Sequence, residues 1–261
     1  MRRNDLSGVL TARRSMWKQV AGLVSLGSLG VMSLLFQPVN EQLLSQHPDF
    51  AEMPVLWFKL LTMLNPLVLL IVASLLGALV AHRVGLRSLV AGTAWPFDTN
   101  HAWVQAAVAG MLTGAVVALL DVLAAPWLGE AWQHYLRQAA RPDAHSLLIG
   151  VLYGGVTEEI LMRWGLMSLL AWGVWTLAGK RQKGLAIVFA IFAVALVFGM
   201  AHLPVLAAQM ELSTGIVTRT VLLNAFAGLV YGWVFWRHHL EAAMLSHACS
   251  HLAMGMVWTL V

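Results

Sequence analysis

The stretch LAIVFAIFAVALVFGMAH, residues 185–202, holds no Asp, Glu, Lys or Arg and no proline, and it ends on a histidine. Coiled as a helix at 1.5 Å per residue it is about 27 Å long, close to the ~30 Å of a bilayer's hydrocarbon core. It is too long for a strand and too apolar on every face for a helix lying on a water-soluble domain. The run therefore reads as a membrane span with a polar feature at one edge.

Comparable blocks lie on both sides of it, at residues 19–36, 54–81, 102–125, 146–177, 219–236 and 242–260. They predict an all-α, polytopic transmembrane helical bundle of about seven to eight helices, built as a single membrane domain over 1–261. The apolar share of 59% and charged share of 11% agree, since soluble domains carry roughly a quarter charged residues. Cys249 is the only cysteine, which excludes a disulfide framework and a Cys-rich zinc site within the chain.

The net charge of +4 does not point to a nucleic-acid partner, because the basic residues gather in short loops beside apolar blocks. Residues 1–18, with Arg2, Arg3, Arg13, Arg14 and Lys18, fall on one side together with Arg83, Arg87, Lys180, Arg181, Lys183 and Arg237. The alternate loops 37–53, 126–145 and 203–218 hold only Arg137 and Arg141. The basic side is expected to be cytoplasmic, with residues 1–18 as a basic cytoplasmic N-terminus. Leu35-Phe36-Gln37-Pro38 offers no small-x-small cleavage site, so the first block reads as a retained helix rather than a signal peptide. Trp17, Trp57, Trp103, Trp127, Trp172, Trp175, Trp236 and Trp258 lie near span ends, where an indole keeps its N–H among headgroups. The segment from Ala91 to Asn100, with Gly92, Pro96 and Asp98, reads as an interfacial linker, and the acidic loop Glu41 to Glu52 falls on the side opposite the basic loops. Gly22, Gly27, Gly30, Gly110 and Gly114 can let helices approach closely.

An ionised side chain at the bilayer centre costs roughly 2.5 to 3.5 kcal/mol on insertion scales, so each one needs a partner or a task. Most of them cluster late in the chain. Glu159 and Arg163 are four residues apart and share a helix face, acid first, which predicts an ion pair. Glu158 is turned about 100° from Glu159 and left without that partner, as a general base would be. The alternative is a buried polar knot that only fixes packing. His202 stands at a span end before Pro204, one helical turn after Phe198, where it either serves a site or reaches for the interface.

His247 and His251, four apart in the last block, share a face as well. Ala248 follows His247 where the helical zinc-protease signature needs Glu. A zinc or other divalent site could still be assembled from Glu158, His202, His247 and His251. Cys249 reads as a small apolar filler, Asp121 as a solvated or capped helix end, Asn224 as a helix-to-helix hydrogen bond and Lys59 as a snorkelling cation.

The strings Glu158-Glu159-x-x-x-Arg163, Phe198-x-x-x-His202 and His247-x-x-x-His251 resemble, in order, the motifs of the CAAX prenyl protease and bacteriocin-processing (CPBP, or Abi) family of intramembrane endopeptidases. The resemblance covers residues 146–255, the expected catalytic core. It implies that Glu158 activates water together with His202, that Glu159 and Arg163 are the supporting ion pair, and that His247 helps to stabilise the oxyanion. His251 stands where the family usually has Asn or Asp; it can donate to an oxyanion as Asn does, and it can also bind metal. The resemblance implies no required cofactor on the glutamate reading and zinc on the other. Membrane lipids and a membrane-associated or lipidated peptide are the implied partners, in what looks like a prokaryotic cytoplasmic membrane. A non-catalytic immunity or partner-binding scaffold, or a proton- or metal-coupled transporter, would use the same buried groups.

Overall fold

The computed structural model describes residues 15–39, 53–94, 100–139 and 144–260. The expectations placed on Arg2, Arg3, Arg13 and Arg14, on the acidic loop Glu41 to Glu52, on Pro96 and Asp98 and on Arg141 lie outside the described residues. All regular structure among the described residues is helical. In chain order it comprises α1 (Met16–Ser33), α2 (Val55–Val84), α3 (Asn100–Leu128), α4 (Glu130–Ala139), α5 (Ala144–Leu177), α6 (Lys183–Ala201), α7 (Leu203–Ala207), α8 (Thr214–Arg237) and α9 (Leu240–Trp258).

Six of these are long and apolar enough to cross a membrane: α1 with the short 3₁₀ turn Leu34–Phe36, then α2, α3, α5, α6 running on into α7, and α8. Leu64, Val68 and Leu69 on α2, Leu112 and Leu119 on α3 and Phe189, Phe192 and Leu196 on α6 all face outward. A belt of that size is a surface suited to lipid rather than water. The seventh expected block is helical, as the 19-residue α9, but is not among the helices apolar enough to cross a membrane. It is more polar than the others because it carries Glu241, Ser246, His247, Ser250 and His251. Ser246, His247 and Ser250 are buried, so α9 turns these groups onto its neighbours α3, α5 and α8 rather than onto lipid.

Close backbone approach holds α9 in place. Gly110 and Gly114 on α3, four apart, lie so near the Ser246 and Ser250 carbonyl oxygens that a Cβ would sit 2.0 and 2.1 Å from them. The other anchor is at the basic end of the bundle. Glu241 Oε1 accepts from Ser88 Oγ at 2.6 Å and from the Val90 amide at 3.0 Å, while Oε2 accepts from the Leu89 amide at 2.9 Å. The turn after α2 is thereby tied to the start of α9, which fixes the height of His247 along the bundle.

Helix α5 departs from the expected α-helix. Gly150–Glu158 and Ile160–Met167 are π-helical, with i→i+5 hydrogen bonds, between α-helical ends. The stretch contains Gly154 and Gly165, where His251 and Ala73 come closer than a Cβ would permit. Thr157 Oγ1 donates to the Gly27 carbonyl of α1 at 2.7 Å and pins the middle of the stretch. Such wide turns are rare in length and frequent at functional sites.

Two bland expectations need correction and a third gains a partner. Asp121 is not solvated: it is fully buried and forms a two-pronged ion pair with Arg219 of α8, since a carboxylate at that depth needs a charged partner. Asn224 does not bridge helices; its amide donates to Thr220 O within α8 at 2.8 Å. Lys59 donates to the Leu35 carbonyl at 2.7 Å, using an orphan acceptor at a helix end. Arg219 also lies 4.4 Å from the ring centre of Trp132. Trp132, Leu206 and Ile216 form a small apolar cluster, so α4 is packed across the end of the bundle away from the basic loops, beside α7.

Candidate active site

Helices α5, α6, α8 and α9 meet around Glu159. This carboxylate is fully buried, and its Oε1 receives both the Arg163 guanidinium at 3.2 Å and His247 Nδ1 at 2.9 Å. Its Oε2 is buried without a hydrogen-bond partner among the described residues. The pair with Arg163 runs along one helix face, as their spacing of four dictates. Arg163 reaches onward to the Gly228 carbonyl of α8 at 3.2 Å, and its guanidinium lies 4.7 Å from the Phe198 ring centre and 5.4 Å from that of Tyr231. Two aromatic rings this close to the guanidinium offset part of the cost of taking the cation out of water.

The ring protons follow from the partners. A carboxylate can only accept, so His247 Nδ1 carries the proton donated to Glu159, and Nε2 of the neutral ring is left with its lone pair. That Nε2 faces His251 Nε2 at 3.2 Å, which makes His251 the donor. His202 Nδ1 donates to the Phe198 carbonyl at 2.7 Å, so its Nε2 is the unprotonated position. Gly150 and Gly154 make the room for the extra imidazole: a Cβ on Gly154 would lie 2.7 Å from His251 Nε2, and one on Gly150 2.9 Å from Nδ1.

Glu158 is half-buried and makes no hydrogen bond or ion pair among the described residues. It is within electrostatic reach of His247, Tyr153 and Tyr231. His202 is within reach of both His247 and His251. All six residues singled out for this region thus gather in one neighbourhood, with Glu159 locked by partners and Glu158 not. Among the described residues no three His, Cys, Asp or Glu side chains converge as metal ligands. Glu158, His202, His247 and His251 are thus not grouped as metal ligands in this arrangement, while His202 and His247, each donating Nδ1–H to a protein acceptor, keep the Nε2 lone pair that a metal-ligating histidine uses.

Residues 141–253 match a family model described as Type II CAAX prenyl endopeptidase Rce1-like. That stretch contains all three motif strings and runs from just before α5 into α9. It is the same membrane-protease family that the motifs resemble, and the chain is a multi-pass membrane protein whose residues 141–253 are similar to that family. No curated protein and no solved structure gives a significant match.

Two contributors within the Rce1-like segment went unread in the sequence. Gly228 and Tyr231, three apart on α8, present a carbonyl to Arg163 and a ring to His247. The available signal was Tyr231 itself, a hydroxyl in the middle of an apolar run, which needs a partner when buried.

Proposed function

We propose that the protein is an intramembrane endopeptidase that hydrolyses a peptide bond of a membrane-associated or lipidated peptide by a glutamate mechanism. The observation that carries this reading is the contrast between adjacent acids: Glu159 is held by Arg163 and His247, while Glu158 is left unpaired beside the imidazoles. A scaffold would be expected to occupy Glu158 with Arg163, yet Arg163 is taken by Glu159 and the Gly228 carbonyl.

On this reading Glu158, with the His202 Nε2 lone pair as second acceptor, takes a proton from water as the water oxygen attacks the scissile carbonyl carbon. The carbonyl π pair moves onto oxygen. His251 Nε2–H then turns from His247 Nε2 to the developing oxyanion. Collapse of the tetrahedral intermediate breaks the C–N bond, and the proton held by Glu158 goes to the leaving amine. The donor to the oxyanion is His251 rather than His247, because His247 Nε2 has no proton to give while Nδ1 serves Glu159. Within the cell the proposed setting is a prokaryotic cytoplasmic membrane with residues 1–18 on the cytoplasmic side.

The test is cleavage of a membrane-peptide library by purified wild type and Glu158→Gln, each with and without a chelator. Glu158→Gln is expected to lower kcat about 10³- to 10⁴-fold, with chelation leaving wild type unaffected. Full cleavage by Glu158→Gln would remove the proposed base. Loss on chelation that zinc restores would replace the glutamate mechanism by a metal one.

A further inference from the structure

Tyr231 belongs to none of the three motif strings, yet it touches a residue from each of them. It is 2% exposed. Its ring stacks on His247, with centroids 4.3 Å apart and an interplanar angle of 19°. It meets the Phe198 ring edge-on at 6.4 Å and has Arg163 5.4 Å from its centroid. His251 runs nearly parallel to His247, with centroids 5.0 Å apart and an interplanar angle of 17°, and Phe198 meets His247 edge-on at 5.7 Å.

The hydroxyl is also accounted for. Ser250 Oγ donates to the His247 carbonyl at 2.7 Å, so its lone pairs are what remain for Tyr231, whose O–H donates to Ser250 Oγ. One side chain of α8 therefore grips His247 twice, through the imidazole face and, by way of Ser250, through the backbone carbonyl. The imidazole has two further constraints: Glu159 on Nδ1 and His251 on Nε2. Rotation about the ring's own bond is what Tyr231 prevents, and that rotation would break both hydrogen bonds together.

The geometry points to Tyr231 as a positioning residue for the proposed hydrolysis, with Ser250 as its link: it holds His247 in the orientation that keeps the proton on Nδ1 and Nε2 toward His251. This assignment rests on the endopeptidase reading for its kinetic consequence, but the histidine geometry can be read without turnover.

The experiment uses the full-length protein in detergent micelles, as wild type, Tyr231→Phe, Tyr231→Leu, Ser250→Ala and, as a reference, Glu158→Gln. Kinetics on the peptide that wild type cleaves are paired with ¹⁵N spectra of labelled histidines, His247 being identified by its loss in His247→Gln. Tyr231→Phe and Ser250→Ala, which each remove one hydrogen bond, are expected to lower kcat about 10-fold. Tyr231→Leu, which frees the ring, is expected to lower kcat about 100-fold. KM should stay within about two-fold in all three, since the lost contacts do not bind substrate. The His247 signal should report an Nδ1-protonated ring in wild type and Tyr231→Phe, and a tautomer mixture in Tyr231→Leu.

An unchanged His247 signal in Tyr231→Leu overturns the positioning role, and so does a loss seen only in thermal stability with kcat per folded molecule intact. Failure of the endopeptidase reading has a different signature. In that case wild type would cleave nothing or Glu158→Gln would cleave fully, and the tautomer signal alone would decide Tyr231.

Discussion

Among the described residues the bundle holds two acid–arginine pairs, and they are built in opposite ways. Asp121 and Arg219 come from α3 and α8, 98 residues apart in the chain, and both carboxylate oxygens are taken by the one guanidinium. The pair is saturated, stacks on Trp132 and closes the end of the bundle that α4 covers. Glu159 and Arg163 lie on one helix, share a single oxygen, and pass their remaining capacity outward, to His247 on one side and to the Gly228 carbonyl on the other. Burying an ion pair rarely adds net stability, because the desolvation cost of two charges rivals their attraction. The first pair therefore makes sense as a lock between helices. The second makes sense as a device that holds an imidazole in one tautomer beside an unpaired Glu158.

Replacing each acid by its amide separates the two roles. Glu159→Gln should have the largest effect. The amide cannot hold Arg163 as an anion does, and its NH₂ end can meet His247 Nδ1 and reverse the tautomer. We expect kcat to fall about 10³- to 10⁴-fold, or roughly 4 to 5.5 kcal/mol of barrier. Steady-state cleavage per folded molecule measures it. A Glu159→Gln enzyme within ten-fold of wild type would reduce this pair to a lock like the other.

Asp121→Asn should do the reverse. Leaving Arg219 buried without its anion is expected to lower unfolding free energy by about 3 to 5 kcal/mol, read by unfolding in mixed micelles, with kcat of the folded fraction kept. A large loss of kcat at preserved stability would mean that the far pair also serves the chemistry. The apolar double replacement Asp121→Leu with Arg219→Met sharpens the point and is smaller again: stability should return to within about 1 to 2 kcal/mol of wild type. The matching replacement of Glu159 and Arg163 should leave activity lost even if the fold is retained.

The same contrast governs what the sequence could reveal. Glu159 and Arg163 were legible because four residues along a helix is a fixed geometry. Asp121 was misread because its partner stands 98 residues away, and Arg219, at the first turn of an apolar run, resembles any cation at a helix end. Six of the seven expected spans followed from length and apolarity, while the seventh block forms α9, which is helical but too polar to stand with them. The π-helical stretch left no trace, since a helix apolar on most faces looks alike at either period. Tyr231 was hidden for a related reason: its importance lies in which ring it stacks on, and only the packing of α8 against α9 settles that.

The smallest expected effect concerns the room made for His251. Gly154→Ala places a methyl 2.7 Å from His251 Nε2 and 3.5 Å from His247 Nε2, against side-chain atoms rather than backbone. A clash with a side chain can be relieved by shortening that side chain. Gly154→Ala alone should therefore cost about 1 to 3 kcal/mol of stability and displace His251 from His247. Adding His251→Asn, which removes the outer atoms of the ring, should recover most of that loss. Gly110→Ala offers the control within the frame of the bundle, because its new Cβ meets the Ser246 carbonyl oxygen at 2.0 Å and no side-chain change at Ser246 can move a backbone oxygen. Recovery at Gly154 and none at Gly110 would show that α5 and α9 are fitted to one another through the histidine, whereas α3 and α9 are fitted through their backbones. If His251→Asn fails to rescue Gly154→Ala, the glycine serves the π-helical turn itself, and the imidazole merely fills the space that the turn leaves.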